Sequence, residues 1–160
     1  MDTAPRPSGL LGRIVFQGQW LVAFVAPALL FVGRTWFGAP DGWLRGIGLL
    51  TLAPPMFLLL GALPLLLATN TVSLPTRSAP RGYSWASVVL WLALVVLIVG
   101  VSDPGSPGTS LLSIWSHGAV SDETSAAVAT GAGGAAAVCW LVAAALAVGS
   151  VISARAKKPD

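Results

Sequence analysis

An all-α chain that crosses a membrane four times, an integral membrane four-helix bundle, is predicted by three features of the sequence. Of 160 residues, 55% are hydrophobic and 9% are charged, whereas a soluble domain carries about a quarter charged residues. A mean hydropathy of +0.80 leaves too few polar groups to cover a water-facing surface, so lipid is the expected main solvent. Four apolar windows are each long enough to cross hydrocarbon, and their central portions contain no ionisable residue. The same composition excludes an ordinary soluble enzyme. It also excludes a disordered chain, which needs low hydrophobicity and high net charge.

A helix crossing roughly 30 Å of hydrocarbon at 1.5 Å per residue needs about 20 mostly apolar residues. The windows at 14–37, 47–68, 85–101 and 126–153 meet that need, and 1–160 reads as a single membrane domain. Backbone polar groups in hydrocarbon must be satisfied internally, so windows of this length are helices. Strands of a membrane barrel would alternate polar and apolar residues, and these windows do not.

The first span is bracketed by Arg13 and Arg34, which stand about 31 Å apart on a helix. It reads as a retained helix and not as a signal peptide, because its apolar run is too long and Phe37-Gly38-Ala39 is followed by Pro40. No twin-arginine pair or lipidation cysteine stands near the start. Arg34 and Asp103, at span ends, are expected to reach water by snorkelling. A short Gly- and Pro-marked loop then makes spans one and two antiparallel neighbours.

Span two carries Pro54, Pro55 and Pro64. Each proline removes a backbone donor and crowds the carbonyl four residues earlier, so a kink is expected, with freed acceptors near Leu50, Thr51 and Leu60. Such a break either shapes the bundle, the favoured reading, or exposes carbonyls to an ion or substrate. The second loop holds Pro75, Pro80, Arg77 and Arg81 and has no room for a domain.

After span three, Asp103-Pro104-Gly105-Ser106-Pro107-Gly108 is a run of turn formers. It opens the longest connection, the external loop 102–125. Leu111, Trp115 and Ala119 follow helical spacing there, which predicts a short interfacial helix; a plain loop covering the bundle mouth is the alternative. His117, Asp122 and Glu123 in this loop are the only concentration of possible metal ligands or acid/base groups, and they are weak functional candidates. One histidine with two acids lacks the tight repeated spacing of a zinc site. Neighbouring Ser116 has no third group to orient a nucleophile–base pair. No catalytic residue, metal or cofactor is expected.

In span four the stretch 126–137 is almost entirely small. Ala126, Thr130 and Gly134 recur at intervals of four, as do Ala127, Gly131 and Ala135, with Gly133 beside them. Small residues at that interval let two helix backbones approach closely, so this face is expected to pack on protein: the other spans, a second copy or a different membrane protein. Gly131-Ala132-Gly133-Gly134 lies in an apolar span and follows no strand, so it is not a phosphate loop.

Charge sets the expected orientation, because Lys and Arg are retained on the cytoplasmic side. Arg6, Arg13, Arg77, Arg81, Arg155, Lys157 and Lys158 fall on one side, against Arg34 and Arg45 on the other. That predicts a multi-pass protein of the cell membrane with both termini in the cytoplasm. The cations are scattered and form no basic stripe, so a nucleic-acid partner is not expected despite a pI near 9.8. Trp36, Trp43, Tyr83, Trp85 and Trp115 lie near span ends, as interfacial rings do. Trp91 and Trp140 lie deeper, as packing residues. A single cysteine, Cys139, excludes an intrachain disulfide. The excess of arginine over lysine, with much alanine and glycine, fits a GC-rich bacterial coding sequence.

With no titratable group at mid-span, a proton-coupled carrier lacks its working residue. The expected function is therefore a small non-enzymatic membrane protein, an accessory, assembly or stabilising subunit of a larger membrane complex, touching the bilayer and a protein partner or second copy through span four. An oligomeric transporter or channel component, with the proline-broken second span and Thr51, Thr69, Asn70 and Thr130 as polar lining, ranks second. A membrane enzyme using the external loop ranks third.

Overall fold

The computed structural model describes residues 9–69, 77–103 and 109–156, with side chains described as far as Ser153. Within these residues every regular element is helical. In order they are α1 (Gly9–Phe31), a 3₁₀ turn (Gly33–Phe37), α2 (Leu44–Thr51, opening as a π-turn over Leu44–Gly48), α3 (Ala53–Ala68), α4 (Arg81–Gly100), α5 (Leu111–Trp115) and α6 (Asp122–Ala156). Three of them, α1, α4 and α6, are single helices long and apolar enough to cross a membrane. A fourth crossing of that length requires α2 and α3 to be taken together, and these are bent by 52° against each other.

The bend falls at Leu52, two residues before the pair Pro54 and Pro55. Leu52 still donates its N–H to the Gly48 carbonyl at 2.8 Å, but the two prolines bring no N–H with which to continue the ladder, so the helix changes direction there. The 3₁₀ turn that ends α1 closes at Gly38, whose φ of 99° is left-handed and suits a residue without Cβ.

Packing runs in the order α3, α1, α4, α6. The α4–α6 pair shares the most extensive contact, α1 lies against both α3 and α4, and α3 meets α6 only lightly. Gly100 makes the α4–α6 approach possible. A Cβ there would stand 3.2 Å from the Ser125 carbonyl oxygen and 3.3 Å from the Ala129 nitrogen. The core collects Val15, Leu30 and Phe31 of α1, Leu60, Leu63 and Leu67 of α3, Tyr83, Leu90 and Leu94 of α4, and Ala136, Ala143 and Ala147 of α6. Trp91 packs its ring against Gly18, as a deep tryptophan should.

The short helix expected in the third connection is α5. Ser110 caps its start by accepting from the Ser113 N–H at 3.0 Å, and the Ser110 hydroxyl donates to the Ser125 hydroxyl at 3.1 Å, which pins α5 to α6. At its other end His117 donates to the Ile114 carbonyl and Gly118 to the Ser113 carbonyl, at 3.1 and 2.9 Å. That pair of bonds is a Schellman stop, with His117 (φ 52°) in the left-handed position and Gly118 (φ 81°) after it.

Candidate functional site

Two buried polar clusters and one free helix face are the features that can carry function. The first cluster lies at the α5 end. Arg34, on the 3₁₀ turn beyond α1, donates from Nη2 to the Val101 carbonyl at 2.6 Å and to the Thr109 carbonyl at 2.8 Å. The Asp103 carboxylate supplies the opposite charge nearby. Asp103 also accepts the Leu44 N–H at 2.7 Å through Oδ1, while its own N–H donates to the Thr109 hydroxyl at 2.9 Å. One cation and one anion thereby tie the end of α1, the start of α2 and both sides of the third connection. The snorkelling expected of these two residues does not occur. Arg34 is 3% exposed and Asp103 6%; in place of water, loop carbonyls accept from Arg34 Nη2 and the Leu44 N–H donates to Asp103, while Arg34 Nε stays buried without a partner. Gly42 packs so tightly on the Asp103 carboxylate that a side chain there would collide with it.

The second cluster joins the middle of α1 to the start of α4. Tyr83 donates from its hydroxyl to Gln19 Oε1 at 2.7 Å, and Gln19 Nε2 donates to the Phe16 carbonyl at 3.2 Å. Tyr83, Ser84 and Ser87 are all buried on this side of α4. Sequence reading missed Gln19, although an amide within an apolar run was its available signal. Tyr83 does stand near the start of α4, and its ring is fully buried within the chain. Replacing Tyr83 with Phe should lower stability by about 1–2 kcal/mol, since Gln19 Oε1 is then left buried without a donor. Thermal unfolding in mild detergent checks this, and adding Gln19→Leu should recover part of the loss.

The loop candidates lie apart. Among the described residues no three His, Cys, Asp or Glu side chains come together as metal ligands. His117 is exposed at the stop of α5, and Asp122 and Glu123 occupy the first turn of α6, where carboxylates favour the positive end of the helix dipole. The proposed polar lining also has partners close at hand. Thr51, Thr69 and Thr130 donate to the Ile47, Leu66 and Ala126 carbonyls, each at 2.8 Å and each within its own segment. Asn70 lies outside the described residues.

The face of α6 is the remaining feature. Its inward stripe is Ser125, Ala129, Ala132, Ala136, Ala143 and Ala147. The small residues singled out in sequence lie off that stripe: Ala126, Ala127, Thr130, Gly131, Gly134 and Ala135 are exposed, and of the three glycines only Gly133 approaches a neighbour, Leu97. Nothing lies within 4 Å of a Cβ built at Gly131 or Gly134. Only 17% of the apolar window of α6 is buried inside the chain, against 39% for α1 and 33% for α4. Comparison of the chain with protein families, with curated proteins and with solved structures finds no match.

Proposed function

We propose that this chain is a non-enzymatic accessory subunit of a larger membrane assembly, and that it joins that assembly through the free face of α6. In this reading α2 and α3 together form one bent span, which gives four crossings of the cell membrane with both termini in the cytoplasm. The exposed Ala126-Thr130-Gly134 and Ala127-Gly131-Ala135 rows carry the reading. Lipid contact alone does not call for two rows of small residues, whereas close approach of a second helix backbone does. The polar clusters support it in a different way, because they tie α1 to α4 and to the loops while leaving that face uncovered.

Leucine at Gly131 or Gly134 tests the proposal. Each side chain enters open space within the chain and replaces a mid-helix glycine, so the isolated protein should be no less stable than wild type and gain up to about 1 kcal/mol. Recovery of the native assembly, sized after extraction in mild detergent, should fall roughly tenfold. A wild-type chain that extracts from its own membrane at the mass of one copy would sink the reading, as would variants that assemble as well as wild type.

A further inference from the structure

A backbone bond between two distant segments gathers three arginines at the end of the molecule away from α5. Ala79 donates its N–H to the Gly12 carbonyl at 3.0 Å, which closes the second connection onto α1. Arg13 follows Gly12, and Arg77 and Arg81 stand two residues to either side of Ala79, so each arginine Cα lies within about 7 Å of one end of that bond. All three side chains are exposed, and none has an ion-pair partner among the described residues. The described carboxylates, Asp41, Asp103, Asp122 and Glu123, all belong to the α5 end, where Arg45 pairs with Asp41. No side chain caps α4 at Pro80, so the positive end of that helix adds to the charge of the same corner.

The surroundings of this corner decide between an anion in water and one in a membrane. The 20 residues of α4 span about 30 Å, the thickness of the hydrocarbon core, and Arg81 is the first of them. Gly82 packs on Leu146 of α6, and past that level α6 still presents Val148 and Ile152 uncovered. Leu10, Ile14 and Trp85, next to the arginines in sequence or one helical turn away, are exposed as well. Cations bordered by uncovered apolar surface belong at the layer where lipid phosphates meet hydrocarbon. A zwitterionic headgroup would bring a further cation to a corner that holds no described carboxylate to receive it. We propose that Arg13, Arg77 and Arg81 together bind the phosphate of an anionic phospholipid, whose acyl chains lie along the adjoining apolar surface. The proposal rests on the helices crossing a bilayer, and neither on the association of α6 with a partner nor on which side of the membrane this end occupies.

Native mass spectrometry of the full chain in mild detergent, titrated with dioctanoyl phosphatidylglycerol, tests this. The first phosphatidylglycerol should bind at least about tenfold more tightly than phosphatidylcholine with the same chains. Arg13→Gln, Arg77→Gln and Arg81→Gln should each weaken it about fivefold, the worth of one arginine close to an anionic lipid surface. Because the three side chains are exposed, these variants should unfold with the wild type. Arg45→Gln, at the opposite end and paired with Asp41, should leave binding unchanged. Replacing Lys157 and Lys158 together with Gln removes two charges of the carboxyl tail and should weaken binding less than any one of the three arginine variants does. Gly131→Leu and Gly134→Leu should bind as wild type, which separates this site from the assembly face. Equal affinity for the two lipids, displacement of the lipid by inorganic phosphate, unchanged binding in the arginine variants, or an equal loss in the lysine pair would overturn the proposal.

Discussion

Replacing Arg34 with Met should destabilise the protein by about 3–5 kcal/mol, because two charge-assisted hydrogen bonds are lost together and the Asp103 carboxylate stays buried without its counter-charge. The bonds are those to the Val101 and Thr109 carbonyls, which lie 67 and 75 residues away in sequence. Without them the third connection keeps weaker ties to the turn beyond α1, the Trp115 indole N–H on the Phe37 carbonyl and the contact of the two rings. Asp103→Asn should be milder, about 2 kcal/mol, since an amide oxygen still accepts the Leu44 N–H and both Arg34 bonds remain, although the guanidinium loses its counter-charge. Denaturant titration of the purified chain in mild detergent measures both. If Arg34→Met unfolds no earlier than Asp103→Asn, the guanidinium does not organise this end of the molecule.

Gly100→Leu should cost about 2–3 kcal/mol, toward the upper end of what overpacking costs. The atoms a new Cβ would meet are backbone, the Ser125 carbonyl oxygen and the Ala129 nitrogen, and they cannot turn aside as a flexible side chain does. Leucine must push α6 off α4, which also strains the contact between the Ser110 and Ser125 hydroxyls. Unfolding midpoints check the cost, and a disulfide engineered across the α4–α6 seam should form more slowly in the variant. Both helices are glycine-bearing, so a mere count of glycines would rank Gly100 and Gly134 alike. Their surroundings separate them, since one is filled by backbone and the other is open.

The connections show how far local chemistry reaches. The helical spacing of Leu111 and Trp115 made α5 readable from sequence, and the paired prolines foretell the bend before α3, whereas the Ser110 cap came from the structure. His117 is different. As an isolated histidine near two acids it resembles a weak ligand, and only the backbone reveals it as the left-handed stop of a helix, a role set by the course of the chain through the turn. Gln19 was legible as an amide among apolar residues, but its partner was not, because Tyr83 lies 64 residues away and reaches it only when α1 and α4 pack.

Length and composition by themselves determined that the chain is helical and that several of its helices can cross a membrane, because the demand for contiguous apolar residues is met locally, window by window. Tertiary structure decided which faces meet. On α6 nearly every position is small or apolar, so no periodicity distinguishes an inward stripe from an outward one, and the choice of Ala129, Ala132 and Ala136 over Thr130, Gly131 and Gly134 came from the close approach at Gly100. The burial of Arg34 and Asp103 was decided in the same way. Whether a charge at a helix end turns to water or inward depends on carbonyls and N–H groups brought from distant loops, and no local rule supplies those.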